Sequence, residues 1–298
     1  MKVLGTGLSG LVGSRIVELL SSHIDFVSLA LEKGVDVTNH AAVFEAITSS
    51  TASWVLHLAA YTDVQAAEKE RMKGKESLAW QVNAEATKNI VDICHTTRKH
   101  LLYVDTDYAF DGTKKFYDET DTPNPKGWYA ITKTEGAKHV LSLGEYGLVI
   151  RIANPYRSNP VGVSLQQGKK DFVHKMIDLL ENGKDIVAPS DQVFVPTFVD
   201  DIAVAIDTLL KIEAHGVYHV VGNDALSPYK IALEIADLYG FDPSLIKKTT
   251  FLEYFSNKAP IPQYAALSNN KLQTLGILMK TFHAGLKIMK KQDQECTL

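Results

Sequence analysis

The stretch that decides the fold lies at the start of the chain and reads Val3-Leu4-Gly5-Thr6-Gly7-Leu8-Ser9-Gly10-Leu11-Val12-Gly13. Its first residues are typical of a strand and its last open a helical pattern. The glycines satisfy GxGxxG and the related TGxxGxxG. Glycine allows a tight turn and close approach to a pyrophosphate, while the helix N-terminus offers free N–H groups to the phosphates. The stretch therefore predicts a dinucleotide-binding loop formed by Gly7, Leu8, Ser9, Gly10, Leu11, Val12 and Gly13.

An acidic residue follows this loop at the spacing of a ribose-binding carboxylate. Glu32 comes 32 − 10 = 22 residues after Gly10, close to the ~20 expected. A carboxylate there repels a 2′-phosphate and favours NAD over NADP, whereas Lys33 would act in the opposite direction. A plain surface role for Glu32 is equally open, and Asp36, followed by Val37, is a second candidate at the adenine edge. The predicted cofactor is NAD or NADP, with NAD favoured.

The first half of the chain alternates strand and helix patterns. One helical stretch places Ala86, Ile90, Ile93 and Cys94 on a single face. Strands that alternate with helices predict a parallel sheet covered on both faces, so the expected class is α/β with a Rossmann-type, doubly wound parallel sheet. The predicted strands are Val3-Leu4, Phe26 to Leu31, Trp54 to Leu58, Leu101 to Val104 and Leu148 to Ile152.

The pattern changes after Arg151, and a smaller α/β substrate-binding region is expected there. We predict a dinucleotide-binding domain over residues 1–155, with 195–215 packing back onto it. Residues 156–194 and 216–298 would form the substrate region. Its predicted elements are a loop from Asn154 to Gly168, a helix from about Phe172 to Leu180, an amphipathic helix from Val199 to Leu210, a strand from Val217 to Val221 and a helix starting near Ser227-Pro228.

Composition excludes several classes of function. Lys plus Arg is 31 and Asp plus Glu is 35, a net charge of −4, so a basic nucleic-acid surface is not expected. No run reaches the ~18 apolar residues of a membrane span. The two cysteines suit a reducing compartment, and the chain is expected in the cytoplasm. Ten histidines form no ligand-spaced cluster, so no metal is assigned.

Three side chains are suited to the reduction of a carbonyl group. Tyr129 and Lys133 are four residues apart in a helical pattern, so both project from one face. Thr106 directly follows the fourth predicted strand, at the sheet edge where ligands bind in open α/β folds. Tyr129 would donate a proton, Lys133 would lower the pKa of the phenol and hold the cofactor ribose, and Thr106 would orient the oxygen. The pattern Tyr-x-x-x-Lys alone often arises by chance, but the glycine loop upstream favours the functional interpretation.

With these residues together, the chain resembles the extended short-chain dehydrogenases and, within them, the dTDP-4-dehydrorhamnose reductase family. The resemblance covers roughly residues 1–280. Besides the glycine loop, the segments that carry it are His57 to Val64 with Ala67-Glu68, Val82-Asn83-Ala84, Asp105 to Gly112, Pro196-Thr197, Asp200 to Ala203, Gly216 to His219, Leu226 to Tyr229, and Ala266 to Ser268 through Ile277.

The resemblance implies a Rossmann domain with a smaller nucleotide-sugar domain, and NAD(P)H-dependent reduction of the C4 ketone of a dTDP-6-deoxy-sugar. It implies Thr106, Tyr129 and Lys133 as the catalytic triad. Dimers are common in the superfamily, which allows a homodimer. The implied cofactor contacts are Leu58, Ala59, Ala60, Tyr61 and Asn83, with Tyr129 and Lys133, and the implied substrate contacts are Thr106, Asp107, Tyr108 and Asn154.

Two features bear on the exact activity. Related dehydratases carry Asp-Glu after the catalytic threonine, whereas here Asp107-Tyr108 follows, which favours reduction over loss of water. Asn154 stands where the reductases usually carry tryptophan, a form more like nucleotide-sugar epimerases, and Ile261 replaces a usual arginine. Another nucleotide-sugar reductase or epimerase therefore stays open. So does a regulatory subunit without turnover, like that of methionine adenosyltransferase.

Overall fold

The computed structural model describes residues 1–30, 34–159 and 170–295. The strands are β1 (Lys2–Thr6), β2 (Asp25–Leu29), β3 (Trp54–His57), β4 (His100–Thr106), β5 (Phe116–Tyr117), β6 (Gly147–Ile152), β7 (Pro155–Tyr156), β8 (Ile186–Pro189), β9 (Val193–Phe194), β10 (Thr197–Phe198), β11 (Gly216–His219), β12 (Ile246–Thr249) and β13 (Tyr264–Leu267). The α-helices are α1 (Leu11–Leu20), α2 (His40–Thr48), α3 (Val64–Lys69), α4 (Leu78–Trp80), α5 (Ala86–Thr97), α6 (Trp128–Leu141), α7 (Phe172–Glu181), α8 (Val199–Lys211), α9 (Pro228–Tyr239), α10 (Phe251–Phe255), α11 (Asn270–Gln273) and α12 (Phe282–Glu295).

The centre of the molecule is a six-stranded sheet in the order β2-β1-β3-β4-β6-β11. Every neighbouring pair in it is parallel. The chain runs outward from β1 in one direction to β2 and in the other to β3, so the strand order reverses at β1. In open α/β sheets, ligands bind beyond the carboxyl ends of the strands at such a reversal. The predicted fold class is confirmed.

Alternation along the strands sends successive side chains to opposite faces of the sheet. Val3 faces a core built with α1 and α8, where Ile16 and Ile206 are fully buried. Leu4 faces the other core, built with α2, α5 and α6, where Ile90 is fully buried. Strands that are buried on both faces explain the continuous apolar runs in the sequence.

A third core lies in the C-terminal half. The buried faces of α7, α9 and α12 pack there with β8 and β12 around Val173, Ile235 and Leu286. The short strands β5, β9 and β13 form a separate three-stranded sheet. Because β5 comes from the first half of the chain and β13 from the last, this sheet ties the two halves together.

Ion pairs of two buried arginines also join α1 to later parts of the chain. The Arg15 guanidinium binds Asp200 of α8 through two hydrogen bonds of 2.7 and 2.8 Å. Arg157, which is 2% exposed, donates to the Ser14 hydroxyl at 2.8 Å and binds Glu18 at 3.1 Å. An arginine whose donors are occupied in this way fixes the position of α1, and so of the loop in front of it.

The structure moves several predicted boundaries. The sequence predicts the fourth strand from Leu101 to Val104, but β4 extends from His100 to Thr106, so Thr106 is its last residue. Residues 216–219, predicted to belong to the substrate region, form β11 at the edge of the central sheet. The rest of the division into two domains stays a prediction. The predicted loop from Asn154 contains β7, and its residues 160–168 lie outside the described ranges.

None of the helices within residues 1–30, 34–159 and 170–295 combines the length and the apolar character that a bilayer crossing requires.

Candidate active site

The glycine loop leaves no room for a side chain at Gly7 or Gly13. Gly7 has φ = 67°, in the left-handed region, and a Cβ atom there would stand 2.5 Å from the backbone nitrogen of Ala59. A Cβ atom at Gly13 would collide with the carbonyl oxygen of Gly7. Gly10 is the N-cap of α1, and no described side chain caps that helix start. The first N–H groups of α1 are therefore available to an anion, which fits a dinucleotide pyrophosphate.

The loop rests on a buried polar cluster at the end of β1. The Thr6 hydroxyl lies 2.7 Å from Nδ1 of His57 and accepts a hydrogen bond of 3.2 Å from the backbone N–H of Ala59. Nε2 of His57 lies 3.1 Å from the Thr87 hydroxyl. Burial, together with the charge of Lys133, lowers the pKa of His57 to about 3, so its ring is neutral. The cluster joins β1, β3 and α5 beneath the segment predicted to line the cofactor.

Asn83 supports this segment by its side chain. It lies in a π-helical turn, Gln81–Glu85, between α4 and α5. Its Oδ1 accepts from the backbone N–H of Tyr61 at 2.8 Å, while Nδ2 donates to the Tyr61 carbonyl at 3.1 Å and to the Thr132 hydroxyl at 3.0 Å. Single π turns often mark functional positions in helices. Here the Asn83 amide connects the Tyr61 backbone to α6, so it supports the predicted cofactor-lining segment.

The helix that carries Tyr129 and Lys133 is positioned by a carboxylate. Glu68 accepts a hydrogen bond of 2.7 Å from the backbone N–H of Trp128, the first residue of α6. The Trp128 indole donates to the Ser77 hydroxyl at 2.9 Å and stacks on Trp80, with ring centroids 5.8 Å apart. The charged segment from Glu68 to Trp80 is thus built against the start of α6.

Lys133 is held under the site as a buried cation. Its Nζ lies 3.9 Å from the centre of the Tyr103 ring on β4, and its residue is 3% exposed. Burial lowers the pKa of Lys133 to about 8, although the charge of Asp105 acts against this. The Tyr103 hydroxyl donates to the carbonyl oxygens of Asn83 and Lys133, each at 3.3 Å. The aromatic face attracts the cation and so offsets part of the cost of its burial.

Thr106 and Tyr129 are brought together at the carboxyl end of β4. The Tyr129 ring is T-shaped against Tyr108, the second residue after Thr106, with centroids 6.4 Å apart. Burial raises the pKa of Tyr129, the charges of Asp105 and Asp107 raise it further, and the nearby Thr106 hydroxyl lowers it. The phenol therefore keeps its proton, as a proton donor must before the reaction.

A buried charged row that sequence reasoning missed lies beside the triad. Asp105 accepts from Nε of Arg151 at 3.1 Å, and both side chains are almost fully buried. Nη1 of Arg151 lies 3.3 Å from Nε2 of His219, whose Nδ1 lies 3.2 Å from the Ser268 carbonyl oxygen. Burial and the charge of Arg151 lower the pKa of His219 to about 3. The row links β4, β6, β11 and the end of β13.

The other predicted site residues are less directly placed. Leu8 is buried in the core, so only its backbone is available to a ligand. Asp36 is exposed and accepts from the N–H and hydroxyl of Thr38 at 2.9 and 2.8 Å. Asn154 has φ = 41°, and its carbonyl accepts from Thr197 at 3.2 Å. Glu32 lies outside the described residues. The described residues with exposed or half-buried positions along the predicted cofactor path are Ser9, Gly10, Leu11, Val12, Val37, Leu58, Ala59, Ala60 and Tyr61.

Within the part of the chain that the structure describes, no group of three or more His, Cys, Asp or Glu side chains is arranged to hold a metal ion.

Comparison with known proteins gives consistent relatives. Residues 1–294 match the family described as the RmlD substrate binding domain. The dTDP-4-dehydrorhamnose reductase of Streptomyces griseus is 30% identical over 283 residues, covering 91% of this chain and 87% of the relative. A solved structure of the dTDP-4-dehydrorhamnose reductase from Bacillus anthracis, in complex with NADP, aligns with a TM-score of 0.87 at 27% identity and covers 98% of this chain and 99% of that one. The methionine adenosyltransferase 2 subunit beta of Bos taurus is 28% identical over 303 residues, covering 96% of this chain and 86% of the relative.

Proposed function

Because the chain belongs to the family of the RmlD substrate binding domain, we propose that this nicotinamide-dependent oxidoreductase reduces the C4 ketone of a dTDP-linked 4-keto-6-deoxy-sugar. The observation that carries the proposal is the meeting of Thr106 and Tyr129 at the end of β4, with the buried cation Lys133 on the same helix as Tyr129. These are the groups that a carbonyl reduction needs on the oxygen side.

In the proposed reaction the protein acts on the ketone oxygen. The Tyr129 hydroxyl donates its proton to this oxygen as negative charge develops, and the Thr106 hydroxyl donates a hydrogen bond to the same atom. The reduced nicotinamide, when bound, supplies the hydride to the ketone carbon, which completes the alcohol. Lys133 is protonated below its pKa of about 8 and opposes the charge left on Tyr129. Its place on α6 also suits a hydrogen bond to the cofactor ribose.

The cofactor site is proposed to run from the glycine loop to Tyr61. Gly7, Gly10 and the free N–H groups of α1 would hold the pyrophosphate, and Ala59 to Tyr61 would line the path towards the triad. NADH is proposed as the favoured form, since Glu32 follows the loop at the spacing of a ribose-binding carboxylate. The structure of the Bacillus anthracis relative was solved with NADP. Binding and turnover with NADH must therefore be compared with those with NADPH.

The test is an assay of loss of nicotinamide absorbance with dTDP-4-keto-6-deoxy-L-mannose and either NADH or NADPH. We expect turnover in the wild type and its loss in Tyr129→Phe. Tyr146→Phe is the matched control, since Tyr146 packs against His100 at the opposite end of β4. Turnover that Tyr129→Phe retains in full would remove the proposed acid.

Two other functions are kept because specific observations favour them. Asn154 favours a different nucleotide-sugar reductase or epimerase, and a panel of UDP-, GDP- and dTDP-sugars tests it: turnover confined to the dTDP-4-keto compound would leave it without support. The likeness to the methionine adenosyltransferase subunit favours a regulatory role. A protein that binds cofactor without turnover and co-purifies with a stoichiometric partner would support that role.

A further inference from the structure

Asp107 is a buried carboxyl group beside the triad for which the proposed reaction names no chemical step. The residue is 3% exposed. Its Oδ1 accepts a hydrogen bond of 3.2 Å from the Thr106 hydroxyl, and its Oδ2 is buried without a partner among the described residues. An unpaired carboxylate oxygen away from water is costly, which favours the protonated form of the acid.

The hydrogen bonds of Thr106 reveal a conflict with its proposed role. A hydroxyl has one proton to donate and two lone pairs to accept with. The Thr106 oxygen accepts a hydrogen bond from the backbone N–H of Tyr108 at 3.3 Å, and the Thr106 hydroxyl donates its proton to Asp107 at 3.2 Å. Its single proton is thus used within the protein, so in this arrangement Thr106 has no proton to offer a substrate oxygen.

We propose that Asp107 sets the direction of the Thr106 hydroxyl, and that its neutral form is the one competent for reduction. A neutral Asp107 carboxyl donates its own proton to the Thr106 oxygen, which still accepts from the Tyr108 N–H. The Thr106 proton is then free for the ketone oxygen, the same atom that Tyr129 would protonate. A charged Asp107 accepts a hydrogen bond from the Thr106 hydroxyl and turns it away from the substrate. Asp107 is therefore a positioning residue that acts through Thr106, and this inference rests on the proposed function.

The surroundings of Asp107 place the ionisation of its carboxyl group near neutral pH. Burial raises the pKa of Asp107 to about 7; hydrogen bonds from Thr106 and from backbone N–H groups lower it, and the charge of Asp105 raises it. From the neighbouring elements, Asp105 of β4 and the two phenols Tyr108 and Tyr129 face the carboxyl group. β13 packs on the same segment, and its apolar side chains Ala266 and Leu267 share a core with Phe110.

The first test needs no substrate or cofactor. Infrared spectra of the protein from about pH 5 to about pH 9 report the stretch of protonated carboxyl groups, and the difference between wild type and Asp107→Asn isolates Asp107 from other buried acids such as Glu234. We expect a midpoint near pH 7 that moves to higher pH in Thr106→Val, because a hydrogen bond to the charged form is lost. An Asp107 that is ionised throughout, or a midpoint that ignores Thr106→Val, overturns the inference.

The second test is the pH dependence of turnover with the dTDP-4-keto sugar. Asparagine resembles the neutral acid, since its Nδ2 donates to Thr106 at every pH. We expect wild-type turnover to fall above about pH 7. In Asp107→Asn the fall should begin about one pH unit higher, where Lys133 loses its proton, with maximal turnover retained within about tenfold. As a control, Asp118→Asn replaces an exposed carboxylate and should keep the wild-type dependence of turnover on pH.

The outcomes separate the inference from the proposed function. An Asp107→Asn profile that falls at the same pH as the wild type overturns the inference, even if the sugar is reduced. A wild type that reduces no nucleotide sugar counts against the proposed function, and the infrared titration then decides the inference on the protein alone.

Discussion

Replacing Gly7 by alanine tests whether the loop is held as the structure describes. The left-handed backbone at φ = 67° costs alanine about 1–2 kcal/mol. The added Cβ atom would also stand 2.5 Å from the backbone nitrogen of Ala59, which must move away at a cost of about 1–3 kcal/mol. Together these give a loss of about 2–5 kcal/mol in the free energy of unfolding. For a chain of this length that is about 3–8 °C in the melting temperature.

Gly10→Ala is the matched control in the same loop. Gly10 has φ = −74° and ψ = 176°, which any residue adopts, and its Cβ atom would meet only the Gly7 carbonyl oxygen, at 3.2 Å. We expect a change in the free energy of unfolding within about 1 kcal/mol. Its methyl group nevertheless lies at the start of α1, where the phosphates are proposed to bind, so cofactor affinity should fall.

The assay is thermal unfolding of the free protein followed by titration of NADH with nicotinamide fluorescence. Gly7→Ala should lose both stability and affinity, whereas Gly10→Ala should lose affinity alone. A Gly7→Ala protein as stable as the wild type, or a larger loss of stability in Gly10→Ala, would refute the account of the loop. Unchanged affinity in both variants would place the dinucleotide elsewhere.

Four further outcomes are expected. Tyr129→Phe should cut turnover by ~10²–10⁴ with NADH affinity retained in fluorescence titration, because only the transferable proton is lost. NADH should bind more tightly than NADPH in the same titration, and the reverse would make Lys33 the deciding residue. Asn83→Ala should weaken NADH binding and lower the melting temperature, because Tyr61 loses its support. Burial lowers the pKa of His174, but a hydrogen bond with Asp171 and an ion pair with Asp293 raise it, to about 9 in all. The stabilisation from His174 is thus full below about pH 6.5 and lost as pH rises through 9, by at most about 1.4 kcal/mol per pH unit. Urea unfolding at several pH values measures this loss, and His174→Gln should abolish it.

The parts of the site that the sequence predicts are those encoded locally. The glycine loop, its strand and its helix occupy one short stretch, and its backbone demands are visible as missing side chains. Tyr129 and Lys133 are likewise one helical turn apart, so their common face follows from helix geometry alone. The position of Thr106 follows from the end of the fourth strand. The sequence predicts this end at Val104, two residues before the observed end at Thr106.

The buried charged row could not be predicted because it depends on strand order. Asp105 and Arg151 are 46 residues apart, and Arg151 and His219 are 68 apart. They meet because β4, β6 and β11 are neighbours in register, with Asp105 opposite Arg151 and Arg151 opposite His219. A histidine or an arginine in an apolar run is ordinary by itself. Only the pairing of the strands turns three such residues into a connected row.

Asn83 shows a different limit of sequence reasoning. Its motif predicts a residue near the cofactor, and the structure brings it against Tyr61, another predicted cofactor contact. Its side-chain nitrogen and oxygen are already engaged with Tyr61 and Thr132 within the protein. The sequence pattern therefore predicts only the neighbourhood, whereas the hydrogen bonds show that the amide holds the backbone of Tyr61.

The hydrogen bonds of Asp107, the acid next to Thr106, also limit the chemistry that this carboxyl group can perform. Loss of water from a sugar needs an acid and a base on separate atoms of the substrate. Here one buried carboxyl group, Asp107, is coupled to the Thr106 hydroxyl, and the next residue is Tyr108, whose ring packs on Tyr129. Burial raises the pKa of Tyr108, so this phenol stays protonated and is not a base at neutral pH. With Asp107 neutral, the proposed site directs the Thr106 and Tyr129 hydroxyls to one oxygen atom, which suits reduction of a ketone, and the proposed site offers no base for elimination.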